Sequence, residues 1–233
     1  MKYNGKVLGV FGGMGPLATA EFLRILALDV PANCDQEHPK IIVIENPQTP
    51  DRTQSILGQG PSPEPYLKEG LIKLIELGVN YLAVPCNTSH HFITNFDDGI
   101  QSKLINIVQE TLGESKVISP NGAWLTATIG TIKTGLYQKM AKDMSYRILE
   151  PNEDEKNKIS QVIDMVKAGN YHEASFLYKD VIEKLWEREY LPIIAACTEL
   201  PIAYRESNLP KEKMVSSIEA LARGCIRKLY TSI

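Results

Sequence analysis

The chain has 233 residues, a formal net charge of −3 and 43% hydrophobic residues, enough to bury a sizeable core in one large domain or two smaller ones. The near-balanced charge, with no grouped Lys and Arg, argues against a surface that tracks nucleic-acid phosphates. No apolar run approaches the roughly 20 residues of a membrane helix, and the opening MKYNGKVLGVFGG lacks the apolar segment and small-residue cleavage site of a signal peptide, so no membrane partner and a cytoplasmic location are expected.

In chain order, KVLGVFG (6–12) reads as a strand and LATAEFLRILALDV (17–30) as a helix. KIIVIEN (40–46) is a second strand, rich in β-branched residues, and PYLKEGLIKLIELG (65–78) an amphipathic helix stopped by Gly78. YLAVP (81–85) is a third strand and LINIV (104–108) a fourth. The crossover LGESKVISPNGAWLTATIGT (112–131) reads as irregular until WLTATIG (124–130), a strand that starts the pattern again. A helix over 134–144, a strand over 146–151, helices over 153–169 and 171–189, a strand over 192–197 and a final helix from about Ser217 to Tyr230 follow. Strands separated by single helices imply βαβ units and parallel sheets. The fold class is therefore α/β, in two similar pseudo-symmetric domains, each a mostly parallel sheet flanked by helices. The expected division is 1–115 with 208–233 as one domain, the last helix returning to the first, and 116–207 as the other.

Four cysteines occur, with no pair close enough for a CxxC metal or redox motif, so free thiols are expected. Cys34 and Cys225 read as small buried hydrophobes. Cys86 in AVPCNT and Cys197 in IAACTE differ, because each ends an apolar strand in the corresponding place of its half. Ligands of open parallel sheets bind beyond the carboxyl ends of the strands. The loops GGMGP (12–16), NPQTPDR (46–52), CNTSH (86–90), GTIKT (130–134) and CTE (197–199) leave such ends. The glycines of the first let backbone approach a ligand, but it has neither GxGxxG nor GK[ST] spacing, so a small carboxylate suits it better than a nucleotide. The long segment 46–66, with five prolines and two glycines, reads as a functional loop.

A helix start after each cysteine would lower its thiol pKa. If the two domains face each other, the two sulfurs can lie on opposite sides of one bound molecule. One then removes a proton from carbon while the other returns one, and the product is the mirror image. A covalent route would instead need a Cys-His pair with an orienting group. His90 and His91 share one loop with nothing to orient them, which points to packing or hydrogen bonding.

GVFGGMGPLATAEF, PCNTSH, TATIGTIKTGLY and AACTELP, taken together, resemble the aspartate/glutamate racemase family over nearly the whole chain. The opening GGMGPLAT resembles the aspartate racemases and not the DSGxGG opening of cell-wall glutamate racemases. The resemblance implies a racemase that uses no cofactor and no metal, with a site between two pseudo-symmetric domains, a dicarboxylic amino acid as substrate, and a homodimer. Cys86 and Cys197 match the catalytic pair. Met14, Asn87, Thr88, Thr131 and Thr198 match residues around the substrate backbone, and Arg52 and Lys167 the basic pair for its side-chain carboxylate. Chemistry supports the last point independently, since a distal carboxylate needs cations and Arg can grip it with two hydrogen bonds. The reading is L- to D-aspartate interconversion. Beside it stand a glutamate or broad-specificity racemase, an isomerase or decarboxylase on the same site, and a non-catalytic amino-acid sensor.

Overall fold

The computed structural model describes residues 2–231. Nine strands occur among them: β1 (Lys2–Tyr3), β2 (Leu8–Gly12), β3 (Ile41–Glu45), β4 (Tyr81–Ala83), β5 (Ala123–Ala127), β6 (Ile148–Leu149), β7 (Ile193–Ala196), β8 (Met214–Ser216) and β9 (Tyr230–Thr231). The chain forms two compact units, Met1–Ile107 with Ile218–Ile233, and Val108–Ser217.

In the first unit, parallel strands lie in the order β3-β2-β4. A single parallel bridge from Leu82 to Leu104 adds a fourth member beside β4. Every residue of β2 is buried, as expected of a central parallel strand covered on both faces. The Glu64–Glu76 helix buries Leu67, Gly70, Leu71 and Leu74, the i, i+3, i+4, i+7 stripe of one helix face. Gly70 sits where a β-carbon would lie 2.1 Å from the Phe11 ring of β2, so its lack of a side chain sets the distance between helix and sheet. The short antiparallel pair β1–β9 ties the chain ends together within this unit.

In the second unit the order is β6-β5-β7-β8, again all parallel. Its core gathers residues of the Glu153–Lys167 and Tyr171–Arg188 helices, such as Ile159, Ile163, Tyr178 and Ile182, against Ile193 and Ala195 of β7. An Asn152–Glu155 capping box starts the first of these helices. With the Leu104 bridge counted, each unit has its second, first, third and fourth parallel strands side by side in that order. The α/β class with two parallel sheets flanked by helices is what the sequence led one to expect.

Several local expectations need correction. The segment 104–108 contributes one bridge and not a strand, because Ile107 already opens the Ile107–Ile118 helix. That helix runs through part of the crossover expected to be irregular. The strand expected over 124–130 stops at Ala127, since the Thr128 side chain accepts a hydrogen bond from Thr131 N at 3.1 Å and turns the backbone into the Ile129–Lys133 helix. Cys34 is exposed, at the start of the polar Asp35–Glu37 turn, and not a buried hydrophobe; Cys225 is buried.

Candidate active site

In an open parallel sheet ordered this way, successive connections leave the first strand toward opposite sides, and the crevice at its carboxyl end between first and third strands is the switch point where ligands bind. In the first unit that point lies between β2 and β4, in the second between β5 and β7. Cys86 follows β4 and Cys197 follows β7, so a cysteine stands at the switch point of each sheet.

Around the first, Gly13 N donates to Thr19 Oγ1 at 2.9 Å and Asn46 N donates to the Gly12 carbonyl at 3.1 Å. Gly13 has a φ of +88°, and a β-carbon on it would meet Asn46 N at 2.5 Å, so only glycine fits this turn. Met14 follows, buried, with its sulfur accepting from Ser89 Oγ at 3.2 Å; it joins the same apolar cluster as Cys86. Arg52 opens a short helix capped by Asp51, whose side chain accepts from Gln54 N at 2.8 Å. Its guanidinium donates from one nitrogen to the Pro50 and Thr49 carbonyls at 3.1 and 3.3 Å, and from another to the Met14 carbonyl at 3.4 Å. Arg52 Nε is buried and has no partner. A half-buried cation with a donor to spare can accept a carboxylate.

Cys86 is 7% exposed, and Asn87 and Thr88 beside it are buried. His90, fully buried, holds this loop: its Nδ1 donates to the Cys86 carbonyl at 3.0 Å, and its Nε2 accepts from Ile107 N at 3.4 Å. Burial drives its pKa down to about 4, so it is neutral and structural. Hydrogen bonding, one of the two roles expected of these histidines, is thus seen at His90. His91 packs edge-on against Phe92.

In the second unit, the register pairs Ala127 with Ala196, which puts Thr128 and Cys197 at neighbouring strand ends. Thr128 donates to Thr131 Oγ1 at 3.0 Å and fixes that buried hydroxyl. The Cys197 thiol, 6% exposed, donates to Glu199 Oε2 at 3.0 Å, and Thr198 Oγ1 donates to the same oxygen at 3.1 Å. Lys167, exposed at the end of its helix, acts on Cys197 electrostatically. The expectation that a helix start lowers both thiols fails at Cys197. Burial foremost, then the Glu199 carboxylate, push its pKa well up, against a smaller opposing pull from Lys167. The Leu200–Glu206 helix that follows is only seven residues long, so its dipole is no match for an adjacent carboxylate.

The structure thus assembles Met14, Arg52, Cys86, Asn87 and Thr88 in one unit, and Thr131, Lys167, Cys197 and Thr198 in the other. Sequence reasoning missed Glu199, although the acidic residue two places after the cysteine was the available signal. Among the described residues, no group of three His, Cys, Asp or Glu side chains is placed to hold a metal ion.

The sequence profile of the Asp/Glu/hydantoin racemases matches residues 11–225. The broad-specificity amino-acid racemase RacX of Bacillus subtilis is 24% identical, covering 94% of this chain and 96% of its own. The solved structure of Picrophilus torridus aspartate racemase superposes with a TM-score of 0.85 at 27% identity, covering 97% of this chain and 94% of its own. Glutamate racemase of Francisella tularensis shares the fold at a TM-score of 0.68 and 17% identity, covering 98% of this chain and 84% of its own.

Proposed function

Because the chain belongs to the Asp/Glu/hydantoin racemase family and is an amino-acid racemase, we propose that it interconverts L- and D-aspartate without a cofactor, using Cys86 and Cys197 as its two bases. The observation that carries this reading is the repeated one: two sheets with the same strand order, each with a nearly buried cysteine at its switch point. One thiolate takes the α-proton, and the other thiol gives a proton to the opposite face of the carbanion. The carbanion needs fixed dipoles in place of a cofactor, a role for the loop N–H groups and for the hydroxyls of Thr88, Thr131 and Thr198. Met14 and Asn87 complete the surroundings of the substrate backbone. Arg52, with its unsatisfied Nε, and Lys167, which has no ion pair among the described residues, take the side-chain carboxylate. The likeness to an aspartate racemase supports this substrate, and the same reading carries a homodimer in the cytoplasm.

The likeness to a broad-specificity racemase favours a second reading in which several amino acids are accepted. A chiral assay of single L- and D-amino acids with no added cofactor separates the two. Aspartate should racemise fastest, and a flat profile across apolar amino acids favours the second. Cys86→Ala and Cys197→Ala should each abolish racemisation from both enantiomers. If the Cys197→Ala enzyme still interconverted aspartate at near the unmodified rate, the two-base reading would be wrong.

A further inference from the structure

The Pro16–Asp29 helix, PLATAEFLRILALD, carries charge only at Glu21, Arg24 and Asp29 and has apolar residues on every side. A helix apolar all round belongs in an interior. Its own chain covers one side of it, burying Ala18, Thr19, Phe22, Ile25 and Leu26. On the other side Leu17 is 47% and Leu28 66% exposed, and Ala20 and Ala27 are exposed between them. Beside this face runs a groove of about 340 Å³ lined by Leu23, Leu26, Ala27, His38, Pro39 and Ile41. Ile41 belongs to β3, the edge strand of its sheet. Val43, two residues on and therefore on the same face of that strand, is 40% exposed. Helix, groove and edge strand make one apolar surface.

We propose that a second copy of this chain docks on that surface, with the two Pro16–Asp29 helices lying antiparallel across a two-fold axis. This rests on the homodimer of the reading above and gives it a surface. Leu17, Glu21, Arg24 and Leu28 follow at i, i+4, i+7 and i+11 and so share one helix face. Their order, apolar, acid, base, apolar, is complementary to its own reverse. With the axis between Phe22 and Leu23, Leu17 meets the partner's Leu28 and Glu21 meets the partner's Arg24. Glu21 already holds Arg24 of its own chain at 2.7 and 3.0 Å, so pairing gathers four charges that alternate in sign. The small Ala20 and Ala27 let the two helix axes come close. The helix, about 21 Å long and about 10 Å across, is too small alone for the roughly 800 Å² that each member of a stable pair buries. The groove and the edge strand extend it. The face bears one cation, Arg24, already matched by Glu21, so neither nucleic acid nor an anionic membrane finds a charge to hold.

Sedimentation velocity of the unmodified chain over a concentration series should show a species of twice the chain mass of 26.0 kDa. Leu28→Glu changes a position open to solvent in the single chain. It should raise the dissociation constant about 10-fold or more, since pairing would bury its charge against an apolar Leu17. Glu21→Arg and Arg24→Glu should each pair more weakly alone. An equimolar mixture of the two should dimerise again, because only the mixed pair sets unlike charges face to face. Rescue by mixing cannot come from a repair within either chain. A dimer indifferent to Leu28→Glu, or two charge variants that stay apart when mixed, overturns the assigned surface and leaves the homodimer standing. A chain that is monomeric at every concentration overturns both, including one that sediments with phosphatidylcholine vesicles instead. The racemase reading is untouched by either result and is decided by the chiral assay.

Discussion

Burial acts on His90 and Cys197 in the same physical sense, favouring the neutral form of each, and this moves their pKa values in opposite directions. The Cys86 carbonyl can only accept, so Nδ1 of His90 carries the proton; Ile107 N–H can only donate, so Nε2 is bare. Protonating Nε2 would set its hydrogen against that of Ile107 N, and burial outweighs the opposing pull of the Cys86 and Ile105 backbone groups. The folded pKa of about 4 lies below the ordinary 6.5, so the contribution of His90 is complete above about pH 6.5 and is lost as pH falls toward 4. The stake is about 3 kcal/mol across that window. Urea unfolding at about pH 7 and about pH 4.5 should show the unmodified chain losing roughly 2–3 kcal/mol more than His90→Asn does. Equal losses would mean that the imidazole is not held neutral. CNTSHH pointed its two histidines to packing or hydrogen bonding, but the partner of each ring nitrogen was not legible there. What decides is which atoms the fold places against the two ring nitrogens. Glu199 had a signal in its place two residues after the cysteine, but only the folded turn shows its carboxylate aimed back at the sulfur.

At the scale of the element, the sequence carried most where a long period was present. The helices expected over 153–169 and 171–189 are observed at Glu153–Lys167 and Tyr171–Arg188, because apolar spacing and start and stop residues agree. Short elements were not legible. Met214–Ser216 is a three-residue strand whose pairing with β7 depends on residues some twenty positions away, and β1–β9 pairs the two ends of the chain. The segment 124–130 misled because Thr and Ile suit a strand, while the Thr128 cap that ends it is a side-chain event. Packing distance is an element-scale property that composition hides as well. Gly70 reads as a weak point in a helix, and replacing it by Ala should add about 1 kcal/mol of helix propensity. Its new methyl, however, meets the Phe11 ring, itself 1% exposed and unable to move aside. Overpacking of this kind costs about 1–3 kcal/mol, so the net effect should be a loss. Chemical denaturation of Gly70→Ala measures it, and a midpoint at or above that of the unmodified chain would show that helix and sheet are not in the close contact described.

At the scale of the molecule, the chain begins and ends in one unit and builds the other in between. The Ser217–Leu229 helix supplies fully buried Leu221, Cys225 and Leu229. Asn4 donates from its backbone to the Leu229 carbonyl at 2.9 Å, and from its side chain to the Lys228 carbonyl at 2.8 Å. The Tyr230 hydroxyl donates to the Glu37 carbonyl at 2.8 Å. Each buried leucine contributes about 2–3 kcal/mol, and a domain has only about 5–15 kcal/mol to lose. Deleting residues 217–233 should therefore unfold the first unit. The second has its own core within 108–217, of ordinary domain size. Both tryptophans of the chain report on that second unit alone: Trp124 Nε1 donates to the Glu189 carbonyl at 2.9 Å, and Trp186 Nε1 to the Leu191 carbonyl at 2.8 Å. The truncated chain should thus keep native-like tryptophan emission and a cooperative fluorescence transition, while circular dichroism loses the helical signal of the first unit. If tryptophan emission shifted to that of the fully unfolded chain, the second unit would not stand on its own core.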